Sequence, residues 1–182
     1  MGICKITKNK NKDVINFGKM PIANGFLDKK NFKDEFFFNM TVSFSENISL
    51  IQLNDHPKPK MMFNKDYPFF TSSSEFMKIH FRDYANWIKK KYLKPGGKII
   101  ELGSNDGTFL KNFSNTNFKH VGFEPSKNVS LIAKKNKVNS LNEFFSRKNM
   151  HKAEKFIGTT DIICGANVVC HIPDLVEFIK TC

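Results

Sequence analysis

Glu101, Gly103, Ser104, Asn105, Asp106 and Gly107 form one short cluster of acids, amides, hydroxyls and glycines, and Glu124 follows 17 positions after Gly107. Ile99 and Ile100 lead into the cluster; Phe109, Leu110 and Phe113 leave it at helix-like spacing. That punctuation predicts a buried strand, a tight turn and a helix start. The glycines let a backbone turn sharply and approach a ligand with no Cβ in the way. The amides that open a helix are unpaired donors. Something polar is expected to be held at this corner.

The residue types narrow the ligand. An acid that ends a second strand suits a ribose, because its two oxygens accept from both hydroxyls. A dinucleotide site would read G-x-G-x-x-G, with the second glycine clearing room for a pyrophosphate. Here Gly103 and Gly107 are four apart, and Asp106 lies between them, where a carboxylate repels pyrophosphate. The pattern suits a ligand with a ribose and a positive charge but no phosphate. S-adenosylmethionine, an amino acid joined through a sulfonium to adenosine, meets that description. Phe144, past a third strand, is placed to flank the adenine, and Asn167 and His171 fall at the end of a fourth. The bland alternative is an ordinary strand–turn–helix with a surface acid. A nicotinamide-dependent enzyme is a weaker reading, disfavoured by the glycine spacing.

The elements that must position these residues follow from the pattern on either side. From residue 98 strands and helices alternate: strand 98–101, helix 108–113, strand 120–124, helix 126–136 with Ser126 as N-cap, strand 138–141, helix 148–156, strand 161–166 and a helix from Pro173. Repeated βα order predicts a parallel, Rossmann-like sheet with helices on its faces, whose ligands sit beyond the carboxyl ends of the strands. The fold class expected is thus α/β, with the sheet incomplete at the C-terminus. A helix over 75–92, capped by Ser74, precedes it, with Phe76, Ile79, Tyr84, Trp87 and Ile88 on one side. Before that, up to about residue 70, strand and turn signals predict a small β-rich domain: a first run ending at Gly18, a loop over 19–27, and two strands at 36–44 and 48–53. A β domain of this size has little core of its own and calls for a metal or a neighbour. The expected domains are therefore 1–70, a connecting helix over 71–95, and a cofactor-binding domain over 96–182.

Composition sets the outer limits. Of the 182 residues, 40% are hydrophobic and 25% charged, which is globular, and no apolar run approaches a membrane span. The N-terminus has no signal-peptide core, so a cytoplasmic protein without a membrane partner is expected. Net charge is +12, yet only Arg82 and Arg147 among 29 basic residues are arginine, which argues against nucleic acid as a partner. None of Cys4, Cys164, Cys170 and Cys182 forms a CxxC pair, and Cys164 and Cys170 read as buried free thiols.

Five segments, taken in order, resemble the sugar C-methyltransferases of deoxysugar biosynthesis: GKMPIAN from Gly18, LIQL from Leu50, YPFFTSSS from Tyr67, ELGSNDGT from Glu101 and NVVCHIPDL from Asn167, with Phe123-Glu124-Pro125 and Phe144-Phe145 also in place. The resemblance implies a small N-terminal zinc-binding domain, a central methyltransferase domain, and transfer of a methyl group from adenosylmethionine to the carbon beside a ketone on an NDP-keto-deoxysugar. It implies active-site roles for Tyr67 and His171, with Asn167 near the methyl donor. That chemistry is proton abstraction alpha to a carbonyl followed by attack of the enolate on the sulfonium methyl. Two departures stand out. The family's zinc domain uses two Cys pairs, but only Cys4 remains of the first, and Ser45 and Ile48 stand where the second should be, so a four-coordinate structural zinc is not expected. Residual binding through Cys4 and His56 lacks partners. The family's downstream Tyr-His-Glu-His segment is also absent. The expectation is a fragment with weak or no turnover alone, whose partner is a second chain supplying the C-terminal half; the alternative is a non-catalytic adenosylmethionine- or partner-binding remnant.

Overall fold

Strand β2 (Phe37–Ser45) alternates in an unusual sense: Thr41, Ser43 and Ser45 are buried, while Val42 and Phe44 are only half-covered. The computed structural model describes residues 2–182 and divides into two compact units, one of residues up to Met62 with His171–Lys180, the other of Phe63–Cys170 with Thr181 and Cys182. In the first unit β1 (Lys12–Pro21) pairs antiparallel with β2, which pairs antiparallel with β3 (Leu50–Leu53). β1 runs on through Gly18 to Pro21, past the point where a loop was expected. Register shifts between Asp13 and Ile15 and between Asn16 and Lys19 absorb the glycine without ending the strand. The loop starts after Pro21, and its turn closes with Gly25 N donating to Ile22 O at 3.1 Å. A short helical turn, α1 (Pro59–Met62), ends this part of the unit.

The second unit begins with the loop 63–74 and helix α2 (Glu75–Lys91), whose N-cap is Ser74; its Oγ accepts from Met77 N at 3.3 Å. α2 does not bury the face expected of it. Phe76, Ile79 and Trp87 are exposed, and the covered stripe is Met77, Phe81, Tyr84, Ala85 and Ile88. That stripe has the i, i+4, i+7, i+8, i+11 spacing of one helix face, and Ala85 completes it where the eye follows the larger residues. The parallel strands are β4 (Lys98–Leu102), β5 (Lys119–Phe123), β6 (Ser140–Leu141) and β7 (Ile162–Gly165), in the spatial order β6-β5-β4-β7. Helices α3 (Lys127–Lys135) and α4 (Arg147–Ile157) connect β5 to β6 and β6 to β7. The chain order of the strands reverses at β4, and such a switch point opens a crevice beyond the carboxyl ends of β4 and β7.

The helix expected over 108–113 is one 3-10 turn, Leu110–Phe113. Asn112 Nδ2 donates to Thr108 O and Phe109 O, carbonyls an α-helix would have used, and the polar run 114–117 offers no continuation. The turn still anchors the core. Phe109, Leu110 and Phe113 are fully buried with Phe81, Ala85, Ile88, Ile99, Ala133 and Val138. Cys164 is buried as expected, but Cys170 is exposed, in a turn with Asn167 whose Oδ1 lies 3.6 Å from its Sγ. The last helix is α5 (Leu175–Thr181).

Candidate functional site

β4 carries Glu101 and Leu102 to its carboxyl end between Cys164 and Gly165 on one side and Gly122 and Phe123 on the other. The chain then turns through Gly103, at φ +62, where an added Cβ would lie 2.7 Å from Val168 Cγ2. Only glycine takes this conformation and this contact together. Gly107, at φ +79, lies against Ala133 and Val138, so no Cβ fits there either. The amides of the turn are not left open. Asn105 N donates to Glu124 Oε2 at 2.8 Å, Gly107 N to Ser104 O at 2.9 Å, and Thr108 N to Asp106 Oδ1 at 3.3 Å.

Asp106 is fully buried. Its Oδ2 accepts from Ser72 N at 2.8 Å and its Oδ1 from Thr108 Oγ1 at 2.6 Å. Asn105 works beside it: Oδ1 accepts from Thr71 N at 2.9 Å and Nδ2 donates to Phe69 O at 3.0 Å. The two side chains clamp backbone 69–72 against the turn after β4. Tyr67, two residues before the clamped stretch, is tied separately, its carbonyl accepting from Asn128 Nδ2 at 2.7 Å. Its half-buried ring lies between Phe63 and Phe69, at centroid distances of 5.8 and 5.7 Å. Burial, then the nearby charge of Glu124, raises the Tyr67 hydroxyl above its ordinary value, so it keeps its proton at neutral pH.

Glu124 follows β5 and is buried, with Oε1 accepting from Ser126 N at 2.7 Å and Oε2 from Asn105 N. Burial raises its carboxyl above the usual range against the lowering effect of those two amides. Glu101 differs. Its Oε2 is buried without a partner, and burial, then the charges of Glu124 and Asp106, push the carboxyl well above the usual range. Glu101 lines a cavity of about 60 Å³ together with Thr71, Gly103, Ser104, Thr108 and Ala166. At ~30 Å³ per water this holds two waters, or the polar head of a larger ligand. An orphaned acid oxygen facing a space built by a glycine fits a group that brings N–H donors and positive charge.

Of the residues singled out from the sequence, Glu101, Gly103, Ser104, Asn105, Asp106, Gly107, Glu124 and Tyr67 belong to one corner of the second unit. Phe144 is half-buried beyond β6, its carbonyl accepting from Asn149 Nδ2 at 3.1 Å. Asn167 is exposed at φ +57 in the turn after β7. His171 ends the turn Val169–His171 and groups with the first unit. Thr71, Ser72, Thr108 and Asn128 also build the corner without having been singled out. Their part is played by backbone amides, the Thr108 hydroxyl and the Asn128 side-chain amide, and residue type alone does not announce that.

Residues 75–182 match the family described as a methyltransferase domain, and residues 4–63 match one described as a candidate zinc-binding domain. The C-methyltransferase NovU of Streptomyces niveus is 25% identical over 170 residues, which is 92% of this chain and 40% of that protein. The chain thus spans well under half the length of that curated relative. Among solved structures, a candidate S-adenosyl-L-methionine-dependent methyltransferase of Methanococcus maripaludis superposes with a TM-score of 0.44 at 16% identity, over 65% of this chain and 59% of that one. YjhP of E. coli does so with a TM-score of 0.30 at 17% identity, over 60% and 36%. With the methyltransferase model covering more than half of its residues, the chain belongs to the methyltransferase domain family.

Proposed function

We propose that the chain binds S-adenosylmethionine at the β4–β5 corner and serves transfer of a methyl group to carbon, the acceptor being the position beside the ketone of an NDP-keto-deoxysugar. The observation that carries the cofactor is the buried, unpartnered Oε2 of Glu101 beside the small cavity under Gly103. When bound, adenosylmethionine supplies an electrophilic methyl on a sulfonium. Glu101 would receive the ammonium of its amino-acid end. Glu124, whose oxygens each retain a lone pair beyond the amides they accept, would receive the ribose, and Phe144 would flank the adenine. The buried acids of the corner, Glu101, Asp106 and Glu124, disfavour the pyrophosphate of a nicotinamide dinucleotide.

The acceptor rests on the resemblance and on the similarity to a C-methyltransferase over 40% of that protein's length. Proton removal alpha to a ketone leaves negative charge on the carbonyl oxygen, and a positioned hydroxyl that stays protonated is suited to stabilise it. Tyr67 has that character, through burial and the charge of Glu124. The resemblance places His171 in the active site as well, and puts the family's proposed base in the downstream Tyr-His-Glu-His segment.

Calorimetry with adenosylmethionine and with NAD on the whole chain, followed by a methyl-transfer assay on an NDP-4-keto-deoxysugar, tests the proposal. The expected result is saturable binding of adenosylmethionine, none of NAD, and loss of at least about tenfold in affinity in Glu101→Ala. Failure of adenosylmethionine to bind overturns it. Binding without turnover by the chain favours a non-catalytic role for the same corner.

A further inference from the structure

The first unit carries two turns of the same build. Cys4 and Thr7 open and close one; Ser45 and Ile48 open and close the other. In each the next residue is a non-glycine at positive φ, Lys8 at +62 and Ser49 at +52. An x2 spacing on two facing turns is the arrangement from which paired thiolates hold a tetrahedral zinc. The side chains here do not suit the metal: one thiol, two hydroxyls and one alkyl group stand at the four positions. Among the described residues no three His, Cys, Asp or Glu side chains are grouped to hold an ion. The residues that match the zinc-binding family model therefore do not fit zinc.

What occupies the centre instead is a sulfur-centred set of hydrogen bonds. Cys4 is fully buried, and its Sγ accepts from Thr7 N at 3.4 Å. Burial by itself would raise the thiol, but hydrogen bonds from the Ser45 and Thr7 side chains and the Thr7 and Ile6 amides outweigh it, bringing the pKa down from 9.0 to about 6. Around this centre the interior is polar rather than apolar. Gln52 clamps the first turn, accepting from Lys5 N at 3.0 Å and donating to Ile3 O at 3.0 Å. Asn11 Nδ2 donates to Ser43 Oγ at 3.1 Å, with both residues buried. Among the described residues of the three-stranded sheet, Val14, Ile15, Phe17 and Ile51 are exposed and the buried positions are Thr41, Ser43, Ser45 and Gln52, so its interior offers little apolar surface to replace a metal.

We propose that this unit is a zinc cradle rebuilt to fold without metal, in which hydrogen bonds at the Cys4 sulfur and the Gln52 amide hold the two knuckles that a zinc ion would otherwise join. The closure is a hydrogen-bonded one, so it is indifferent to chelators, and it depends on the acceptor at position 4 and the amide at position 52. The cradle's backbone remains, so restoring thiols restores the site.

The experiment uses the whole chain. Elemental analysis after purification in zinc-supplemented buffer is expected to find less than about 0.1 zinc per chain, and the thermal midpoint is expected not to move with chelator. Stoichiometric zinc, or a midpoint lowered by chelator, overturns the proposal. Cys4→Ala and Gln52→Ala are each expected to lower the midpoint by several degrees, about 4 °C or more. A Cys4→Ala chain with an unchanged midpoint overturns the role given to the sulfur. Thr7→Cys with Ser45→Cys and Ile48→Cys is expected to take up one cobalt or zinc per chain, with the visible absorption of tetrahedral thiolate–cobalt. If that variant folds and binds neither metal, the cradle itself is refuted; if it does not fold, metal content and chelator response of the unaltered chain decide.

Discussion

Asp106 is the residue on which two readings of the corner divide. From sequence it is a carboxylate facing the ligand. In the structure it is fully buried and occupied by Ser72 N at 2.8 Å and Thr108 Oγ1 at 2.6 Å, with a weaker contact from Thr108 N. Hydrogen bonds to a charged group contribute ~1.5–3 kcal/mol each, so the two short ones sum to ~3–6 kcal/mol. Removing the acceptor also orphans the Ser72 amide, while the lost desolvation penalty of the carboxylate offsets part of the change. Asp106→Ala should therefore destabilise the second unit by about 3–5 kcal/mol, a large share of the ~5–15 kcal/mol that holds a domain folded. Asp106→Asn keeps one acceptor but sets an amide against a donor, and should cost about half as much. Urea unfolding followed by Trp87 fluorescence reads this directly, because Trp87 is the single tryptophan and stacks on Tyr84 in the same unit. If Asp106→Ala unfolds within about 1 kcal/mol of the unaltered chain, the clamp assignment fails. If it also loses most of its affinity for adenosylmethionine, the carboxylate faces the ligand after all.

Three further outcomes follow from single contacts. Gly103→Ala forces a Cβ to 2.7 Å from Val168 at a φ of +62, and should cost about 1–3 kcal/mol and narrow the cavity, read as a lower melting midpoint together with weaker cofactor binding. Glu101 holds its proton in the folded chain at pH values where the unfolded chain has lost it, so the folded state carries more protons and stability falls as pH rises from 4.5 toward the raised value; Glu101→Gln should make that slope shallower and leave the part due to Glu124, in unfolding measured between pH 4 and pH 8. Ser74→Ala removes the acceptor for Met77 N and should cost about 1 kcal/mol in urea unfolding, with no change in ligand affinity.

The parallel sheet was legible because β4 and β7 carry short apolar runs that end at glycine, β5 ends at Glu124-Pro125, and the order of strands and helices leaves few topologies. The turn after β4 was legible from its glycines: those at positions 103 and 107 announce positive-φ backbone packed too closely for a Cβ. Other features lay beyond reach. The one-turn helix at Leu110–Phe113 depends on Asn112 capturing two carbonyls, and periodicity carries no trace of that. The buried stripe of α2 turns on Ala85, which contributes little hydrophobicity but lies fully covered, while Phe76 remains exposed. The interior of the first unit was least legible, because its inward positions are Thr41, Ser43, Ser45 and Gln52, types that ordinarily mark an outer face.

The three acids at the corner show why the ligand question is one of charge before it is one of shape. Each carboxylate oxygen of Asp106 and Glu124 already accepts from an amide or a hydroxyl of its own chain, so neither acid is left orphaned. Glu101 lies among them with Oε2 unpartnered, and burial, then the charges of Glu124 and Asp106, raise its carboxyl well above the usual range. A phosphate brought to this place would add a further negative charge to a buried acidic cluster, and each such approach is unfavourable in low dielectric. A cation has the opposite effect: it draws the proton from Glu101, pairs with the carboxylate, and eases the repulsion with Glu124 and Asp106. Binding of a cationic ligand should accordingly release a proton from Glu101 at pH values between the ordinary carboxylate range and the raised one, so the calorimetric heat there should vary with the ionisation enthalpy of the buffer. That dependence should vanish in Glu101→Gln, and a buffer-independent heat in the unaltered chain would refute the assignment of Glu101 as the acid that meets the cation.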